Sequence, residues 1–288
     1  MNKGAQYMII SSFAFSLMHL CVKAMPHIPV FELVFFRSLG SLLITFFYLN
    51  KNRIPIFGNN KKVLFARGLF GTIGLSLFFI TLQNIPLAGA VTIQYLSPVF
   101  TTLFAVIILR EHVKKTQWIF FVLAFTGVFL LKGFDVSGQI SYYFVLIGIA
   151  SACFSGLAYN CIRYLRTTEP TLVVVLYFPL VATPIMGVLS FFNWVKPQGL
   201  DWVYIVALGV VTQVAQVFMT KGIQSDSAGN IMTYKYVGVV FAFIYGYFIF
   251  KETYSLLSVF GIFLLLSGVI LNAVFKNKQV KKICTKKV

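Results

Sequence analysis

Basic residues interrupt segments of the chain that are otherwise apolar. Arg37 lies in FELVFFRSLG, Lys235 lies in NIMTYKYVGVVFAFIYG, and Arg67 stands just before GLFGTIG. A charge near the middle of a bilayer costs at least about 2.5–3.5 kcal/mol on insertion scales, so water, backbone carbonyls or a ligand anion must offset it. The seven acidic residues all lie at or near the ends of apolar segments. Arg37 and Lys235 are therefore candidate anion-binding groups without an acidic partner at their own depth.

Arg67 has a second interpretation. It lies about one helical turn from the end of its apolar segment, so its long side chain could reach the headgroups and act only as an anchor. Both interpretations stay open at the level of sequence.

Uncharged polar residues of other apolar segments could line the same site. His19 lies in the first segment, Tyr159 and Asn160 lie in the sixth, and Gln213 and Gln216 lie three residues apart in the eighth. Each has an alternative role: His19 could be a packing residue, and the two glutamines could form amide hydrogen bonds between helices.

Catalytic and metal chemistry find little support in the sequence. The histidines are scattered and lack acidic companions at fixed spacing, which disfavours a membrane-embedded transferase. The cysteines show no C-x-x-C or metal-ligand spacing, and no phosphate-binding loop of the G-x-x-x-x-G-K-[ST] type occurs. We expect no catalytic residues, no metal and no cofactor.

The elements that must position these residues are membrane helices. Hydrophobic residues make up 59% of the 288 and charged residues only 11%, which predicts an all-α polytopic membrane protein. Ten segments are long enough to cross a bilayer, and short loops join them. The predicted spans are 4–22, 29–49, 63–83, 86–109, 117–132, 141–161, 170–192, 202–223, 227–250 and 255–275.

The basic residues of the loops predict the orientation. If the N-terminus is cytoplasmic, the opposite side holds only Lys23, Lys132, Lys196 and Lys251, and the cytoplasmic side holds nearly all other loop cations. The positive-inside rule therefore predicts both termini in the cytoplasm. The net charge of +17 thus indicates topology and not nucleic-acid binding. The first apolar segment lacks a strongly basic leader and a cleavage site of the A-x-A type, so we expect it to be retained as a helix. The basic tail, 276–288, either meets anionic headgroups or is a plain topology signal.

The two halves of the chain repeat each other at an offset of 140 to 141 residues. AGAVTIQYLSPVF aligns with AGNIMTYKYVGVVF after one insertion, so that Gln94 pairs with Lys235 and Tyr95 with Tyr236. A repeat of five spans is an odd number, so the second copy must be inverted in the membrane. We predict a first five-helix repeat at 1–135 and a second at 136–275. Pro98 also predicts a kink in the fourth span near Gln94.

The segments REHVKKTQWIFFVLAFTG and KETYSLLSVFGIFLLLSG, which close the two halves, resemble those of EamA-type transporters of the drug/metabolite transporter superfamily. The resemblance covers the whole chain. The segments FELVFFRSL, RGLFGTIGLSLFF, IPLAGAVTIQYLSPVFTTLFA and YKYVGVVFAFIYGYFIFKE are similar to a branch with bacterial S-adenosylmethionine carriers and animal organic-anion exporters. The resemblance implies a secondary carrier whose pocket is lined by spans 1, 3, 4, 6, 8 and 9. That branch usually has Arg between the two tyrosines of the ninth span, Tyr234 and Tyr236, where this chain has Lys235.

These patterns favour a carrier of a small organic metabolite with a carboxylate or other anionic group, such as S-adenosylmethionine or another amino-acid-like or organic-acid metabolite. A channel or scaffold is the alternative, and a membrane-embedded transferase is the third hypothesis. The predicted partners are the metabolite and the lipid bilayer, with no nucleic acid, in a monomer or homodimer of the bacterial cytoplasmic membrane. The predicted substrate-binding residues are His19, Arg37, Arg67, Gln94, Tyr95, Tyr159, Asn160, Gln213, Gln216, Tyr234, Lys235 and Tyr236.

Overall fold

The computed structural model describes residues 3–109, 115–133, 141–225 and 233–285. Within these ranges every regular element is helical, so the all-helical prediction is confirmed. The helices are α1 (Lys3–Ala24), α2 (Val30–Lys51), α3 (Lys61–Asn84), α4 (Leu87–Gln94), α5 (Ser97–Leu109), α6 (Lys115–Gly133), α7 (Tyr142–Tyr164), α8 (Thr171–Phe191), α9 (Asp201–Ser225), α10 (Val237–Phe248) and α11 (Leu256–Thr285). Two 3-10 segments, Leu165–Thr167 and Thr233–Tyr236, follow α7 and precede α10.

Seven of the ten predicted spans have the length and apolar composition to cross a membrane among the described residues. They correspond to α1, α2, α3, the pair α4 and α5, and then α7, α8 and α9. The fifth and tenth predicted spans hold shorter apolar stretches, Thr116–Leu130 and Leu256–Asn272. The ninth is divided: its first residues, 227–232, lie outside the described ranges, and the 3-10 segment then leads into the 12-residue α10.

The fourth predicted span is broken where Pro98 predicts a kink. Pro98 has no N–H group to donate to the preceding turn, so the helix cannot continue unchanged through this position. The structure accordingly ends α4 at Gln94 and begins α5 at Ser97. The ninth span changes from 3-10 to α-helix at Tyr236, the repeat partner of Tyr95. Both irregular points therefore fall at equivalent positions of the repeat.

A carboxylate that accepts a backbone hydrogen bond marks each end of the bundle. At one end, the Glu252 carboxylate accepts hydrogen bonds from the Leu87 N–H at 2.8 and 3.0 Å, and Lys23 Nζ lies 3.3 Å from it. At the other end, Glu169 Oε1 accepts a hydrogen bond from the Asn60 N–H at 2.7 Å. We call these the Glu252 end and the Glu169 end.

Two apolar clusters fill the bundle, one toward each end. Met25, Phe79 and Leu82 belong to the larger cluster, toward the Glu252 end, whereas Met8 and Leu64 belong to the smaller cluster, toward the Glu169 end. All five side chains are fully buried. Polar and charged side chains collect at the level where the two clusters meet, and this level holds the site described below.

Glycines allow a close contact between α6 and α11. A Cβ atom added to Gly127 would lie 2.6 Å from the Gly261 carbonyl oxygen, and one added to Gly268 would lie 2.7 Å from the Ala124 nitrogen. Without side chains at these positions the two backbones can approach each other. Gly127 and Gly268 are partners in the repeat, and the structure brings them into the same interface.

Candidate functional site

A cavity of about 80 Å³ lies at the level where the two apolar clusters meet. This volume suffices for several water molecules, because a cavity needs roughly 10–15 Å³ of this volume to hold one water molecule. Its walls come from α1, α2, α3, α4, α7, α8 and α9, with Tyr95 after α4 and the 3-10 segment before α10. Eight of the sequence-predicted residues line it: His19, Arg37, Arg67, Gln94, Tyr95, Tyr159, Gln216 and Lys235.

Two arginines share one aromatic ring in this cavity. The guanidinium carbons of Arg37 and Arg67 lie 5.0 and 5.5 Å from the ring centroid of Phe178 on α8. An aromatic face attracts a cation at such distances, more strongly when both are shielded from water. Phe178 therefore holds both guanidinium groups at the same wall.

Arg37 is fully buried, and its three guanidinium nitrogens have no hydrogen-bond partner among the described residues. Arg67 is 2% exposed, and its Nη2 donates to Gln216 Oε1 at a long 3.4 Å. Its side chain points into the bundle, not toward the headgroups, so the anchor interpretation of Arg67 is wrong for this structure.

Lys235 is enclosed by two tyrosines. Its Nζ donates to the Tyr159 hydroxyl at 2.7 Å and lies 4.8 Å from the Tyr159 ring centroid and 5.5 Å from that of Tyr95. The side chain is only 7% exposed. The ammonium group therefore sits on aromatic faces and keeps donors that can serve a ligand, because an ammonium group has three N–H bonds.

Acidic groups are missing from the described walls of the cavity. The contacts between a basic side chain and a carboxylate that occur among the described residues, Lys23 with Glu252 and His27 with Asp201, both lie at the Glu252 end. Within the described part of the chain, Arg37, Arg67 and Lys235 therefore have no carboxylate at ion-pair distance. Their positive charge faces the cavity without a counter-charge from these residues.

The Gln94 amide and the His19 imidazole differ in how many of their polar atoms have hydrogen-bond partners. Gln94 Nε2 donates to Ser155 Oγ at 2.8 Å, and Gln94 Oε1 accepts from Ser151 Oγ at 2.8 Å. His19 lies edge-on to Phe78, with ring centroids 5.1 Å apart, and its Nδ1 has no hydrogen-bond partner among the described residues. Gln94 is thus fixed between helices, whereas His19 keeps a free polar atom.

The repeat partners Tyr95 and Tyr236 meet face to edge. Their ring centroids are 5.3 Å apart and the rings are nearly perpendicular, at 87°. A Cβ atom added to Gly238 would collide with the Tyr95 hydroxyl, so glycine makes room for this ring. Tyr236 packs against Tyr95 but does not itself line the cavity.

Three other predicted residues also lie away from the cavity. Tyr234 is 39% exposed. Asn160 donates to the carbonyl oxygens of Thr101 and Gly156, and Gln213 bonds the hydroxyls of Ser41 and Thr45 on α2. The interhelical role proposed as the alternative for the glutamines therefore applies to Gln213, while Gln216 faces the cavity.

Sequence reasoning missed Phe178, Ser12 and Ser155, which also line the cavity. Phe178 is one of 32 phenylalanines, and no pattern distinguishes it. Ser155 lies in the sixth predicted span, one of those that the family resemblance assigns to the pocket, and this was the available signal.

Comparison with known proteins agrees with this architecture. The model of the EamA-like transporter family matches twice, at residues 2–133 and 143–274. The pseudopaline exporter of Pseudomonas aeruginosa is 30% identical over 264 residues, which cover 91% of this chain and 92% of the exporter. An S-adenosylmethionine uptake transporter of Rickettsia felis is 26% identical over 77% of this chain and 75% of its own.

A solved crystal structure shares the fold with a TM-score of 0.70 and 17% identity, over 96% of this chain and 98% of the other. Together with the apolar helices, the double family match identifies a multi-pass membrane transporter. This chain belongs to the EamA-like transporter family.

Proposed function

We propose that the protein is a secondary carrier that moves a small organic metabolite with a carboxylate or other anionic group across the bacterial cytoplasmic membrane. One observation carries the proposal: Arg37, Arg67 and Lys235 line a single buried cavity in which the described residues supply no carboxylate. An unpaired buried charge is costly, so a bound anion would offset that cost.

The cavity offers complementary groups for such a ligand. The Lys235 ammonium and the two guanidinium groups would bind the anionic part, while the rings of Phe15, Phe78 and Tyr95 would contact an apolar or flat part. The names of the relatives, a pseudopaline exporter and an S-adenosylmethionine uptake transporter, support a metabolite as the cargo. Alternating access then follows if the ligand contacts differ between two states of the bundle.

The proposed mechanism uses two halves of opposite orientation, and paired contacts support this arrangement. Glu32, near the start of α2, accepts a hydrogen bond at 3.0 Å from Val195 N–H, in the loop after α8. Glu169, just before α8, accepts one from Asn60 N–H, in the loop after α2. If α2 and α8 are repeat partners, these two contacts are equivalent and lie at opposite ends. We therefore propose that the chain crosses the membrane ten times, five times within residues 1–135 and five times within residues 136–275.

The function can be tested with purified protein in detergent. We expect carboxylate-bearing metabolites to raise the unfolding midpoint in a saturable manner, because a ligand that binds only the folded state stabilises it by mass action. Cationic metabolites of similar size and equal ionic strength should leave the midpoint unchanged. In proteoliposomes, the stabilising compound should show saturable counterflow. Linear, non-saturable flux would instead indicate a channel, and stabilisation by cations alone would contradict the proposed anion site.

The topology gives an all-or-none prediction. In a background without the four native cysteines, Arg53→Cys in the loop after α2 and Lys196→Cys in the loop after α8 should react from opposite sides of the membrane. A membrane-impermeant maleimide added to intact cells should label Lys196→Cys and spare Arg53→Cys until the membrane is opened. Labelling of both positions from the same side would exclude inverted halves.

A further inference from the structure

We infer that the cargo carries at least two anionic groups, one for the arginine pair on Phe178 and one for Lys235. This inference rests on the proposed function and narrows the substrate to organic di- or polyanions. It follows from two features of the cavity, the separate aromatic supports of the cations and the unsatisfied guanidinium of Arg37, and from the single negative charge that one carboxylate brings to three cations.

The cations form two groups with different supports. Arg37 and Arg67 come from α2 and α3 and share the ring of Phe178 on α8. Lys235 comes from the 3-10 segment before α10 and rests on Tyr159 of α7 and Tyr95 after α4. Each group is thus anchored to its own wall, and neither shares an aromatic support with the other.

Within the arginine group, Arg37 has fewer hydrogen-bond partners for its donors than Lys235 has. All three guanidinium nitrogens of Arg37 lack a hydrogen-bond partner among the described residues, whereas Lys235 donates to the Tyr159 hydroxyl at 2.7 Å. A guanidinium group presents parallel N–H bonds that match the two oxygens of a carboxylate. The arginine wall therefore fits a carboxylate in bidentate geometry, and that carboxylate brings one negative charge against three cations.

A single carboxylate bound in this way leaves Lys235 without an anion, and one bound to Lys235 leaves Arg37 unsatisfied. Two anionic groups joined by a short linker would serve both walls at once. The neutral polar residues of the cavity suit such a linker: Gln94, Ser155 and Gln216 line it and carry no charge. S-adenosylmethionine, with one carboxylate and two cationic groups, matches this charge pattern less well than an organic dianion does.

The experiment compares linear monocarboxylates with α,ω-dicarboxylates of matched carbon number, at constant ionic strength, by the shift of the unfolding midpoint in detergent. We expect the best dicarboxylate to give half-maximal stabilisation at a concentration at least about tenfold below that of its matched monocarboxylate, which corresponds to about 1.4 kcal/mol. The preference should peak at one linker length, because only one spacing spans both walls. Inorganic phosphate and S-adenosylmethionine complete the panel.

Two variants test the assignment of the walls. Arg37→Gln should remove the preference for dicarboxylates while monocarboxylates still bind through Lys235. Phe178→Leu, which removes the shared ring but no charge, should weaken the preference in the same direction and provides an independent test if Arg37→Gln does not fold. Retention of the full preference in both folded variants would overturn the arginine wall as the second anion site.

The remaining outcomes are also decisive. Equal stabilisation by mono- and dicarboxylates would overturn the dianion inference and leave the proposed anion carrier intact. Stabilisation by inorganic phosphate as strong as that by any dicarboxylate, or stronger stabilisation by S-adenosylmethionine, would overturn it as well. Absence of stabilisation by every anion would contradict the proposed function itself.

Discussion

Lys235→Gln is expected to reduce transport by at least about 30-fold while the protein still inserts in the membrane and purifies as a single species. Truncation of one partner of a buried charge pair at a binding site costs about 2–5 kcal/mol, and each 1.4 kcal/mol corresponds to about a tenfold change. Glutamine keeps much of the length of lysine and one hydrogen bond to Tyr159, so the loss should come from the missing charge. The loss of transport is measured by uptake or counterflow of the stabilising anion in proteoliposomes.

Lys221→Gln is the matched control. Lys221 is exposed near the rings of Tyr7 and Phe218, at 6.0 and 5.8 Å, and does not line the cavity. Its replacement should leave transport unchanged. Lys235→Arg should retain part of the activity, because the charge remains but a planar fork replaces a point charge. Normal transport by Lys235→Gln would exclude Lys235 as an anion-binding group.

The sequence allows the main elements of the site to be predicted because charge in an apolar span is so unfavourable. Arg37 and Lys235 stand out for that reason, and the repeat alignment adds Gln94 and Tyr95 at the depth of Lys235. The structure places all four around one cavity. The helices themselves can also be predicted, because long apolar segments form membrane-spanning helices. Seven of the predicted spans match such helices among the described residues.

The direction of individual side chains is less accessible to sequence reasoning. Gln213 and Gln216 are three residues apart, yet Gln213 bonds Ser41 on α2 and Gln216 faces the cavity. The choice depends on which hydroxyls a neighbouring helix presents. Phe178 acquires its role only because two arginines from other helices reach it, and no local pattern encodes that meeting.

Span boundaries are hardest to predict where polar residues and helix breaks coincide. The ninth predicted span contains Lys235 between two tyrosines, and the structure has a 3-10 segment there in place of a continuous α-helix. A buried cation and the backbone carbonyls of an irregular turn can stabilise each other, which a hydropathy count cannot register. The break in the fourth span was predictable only because proline marks it.

A polar network connects three elements at the Glu252 end of the bundle. Glu252 accepts hydrogen bonds from the Leu87 N–H and from the Tyr254 hydroxyl, and Lys23 bridges it to the Ile85 carbonyl oxygen at 2.6 Å. The network joins the end of α1, the start of α4 and the loop after α10. Burial and the hydrogen bond to Glu252 raise the pKa of Tyr254, so its hydroxyl remains a donor. We propose that these contacts hold the extracytoplasmic side shut.

Glu252→Gln should therefore open the cavity toward that side. Lys23 and Glu252 have side chains only 16% and 10% exposed, and removal of one member of a buried ion pair costs about 3 kcal/mol or more. We expect a lower unfolding midpoint together with faster modification, by at least about tenfold, of a cysteine at Leu75 in the cavity wall when a membrane-impermeant thiol reagent is added to intact cells.

Asp201→Asn is the control at the same end of the bundle. The side chains of His27 and Asp201 are 54% and 14% exposed, and a charged contact with so exposed a partner contributes about 0–1 kcal/mol. Asparagine can still accept the hydrogen bond from the Gln198 N–H, so neither the midpoint nor the labelling rate should change much. A general loosening of the fold would make the cysteine at Leu75 react faster with reagent added from either side of the membrane. Release of the Glu252 contacts should accelerate its labelling only from the extracytoplasmic side. If Glu252→Gln lowers the midpoint without that one-sided increase, Glu252 caps α4 but does not control access.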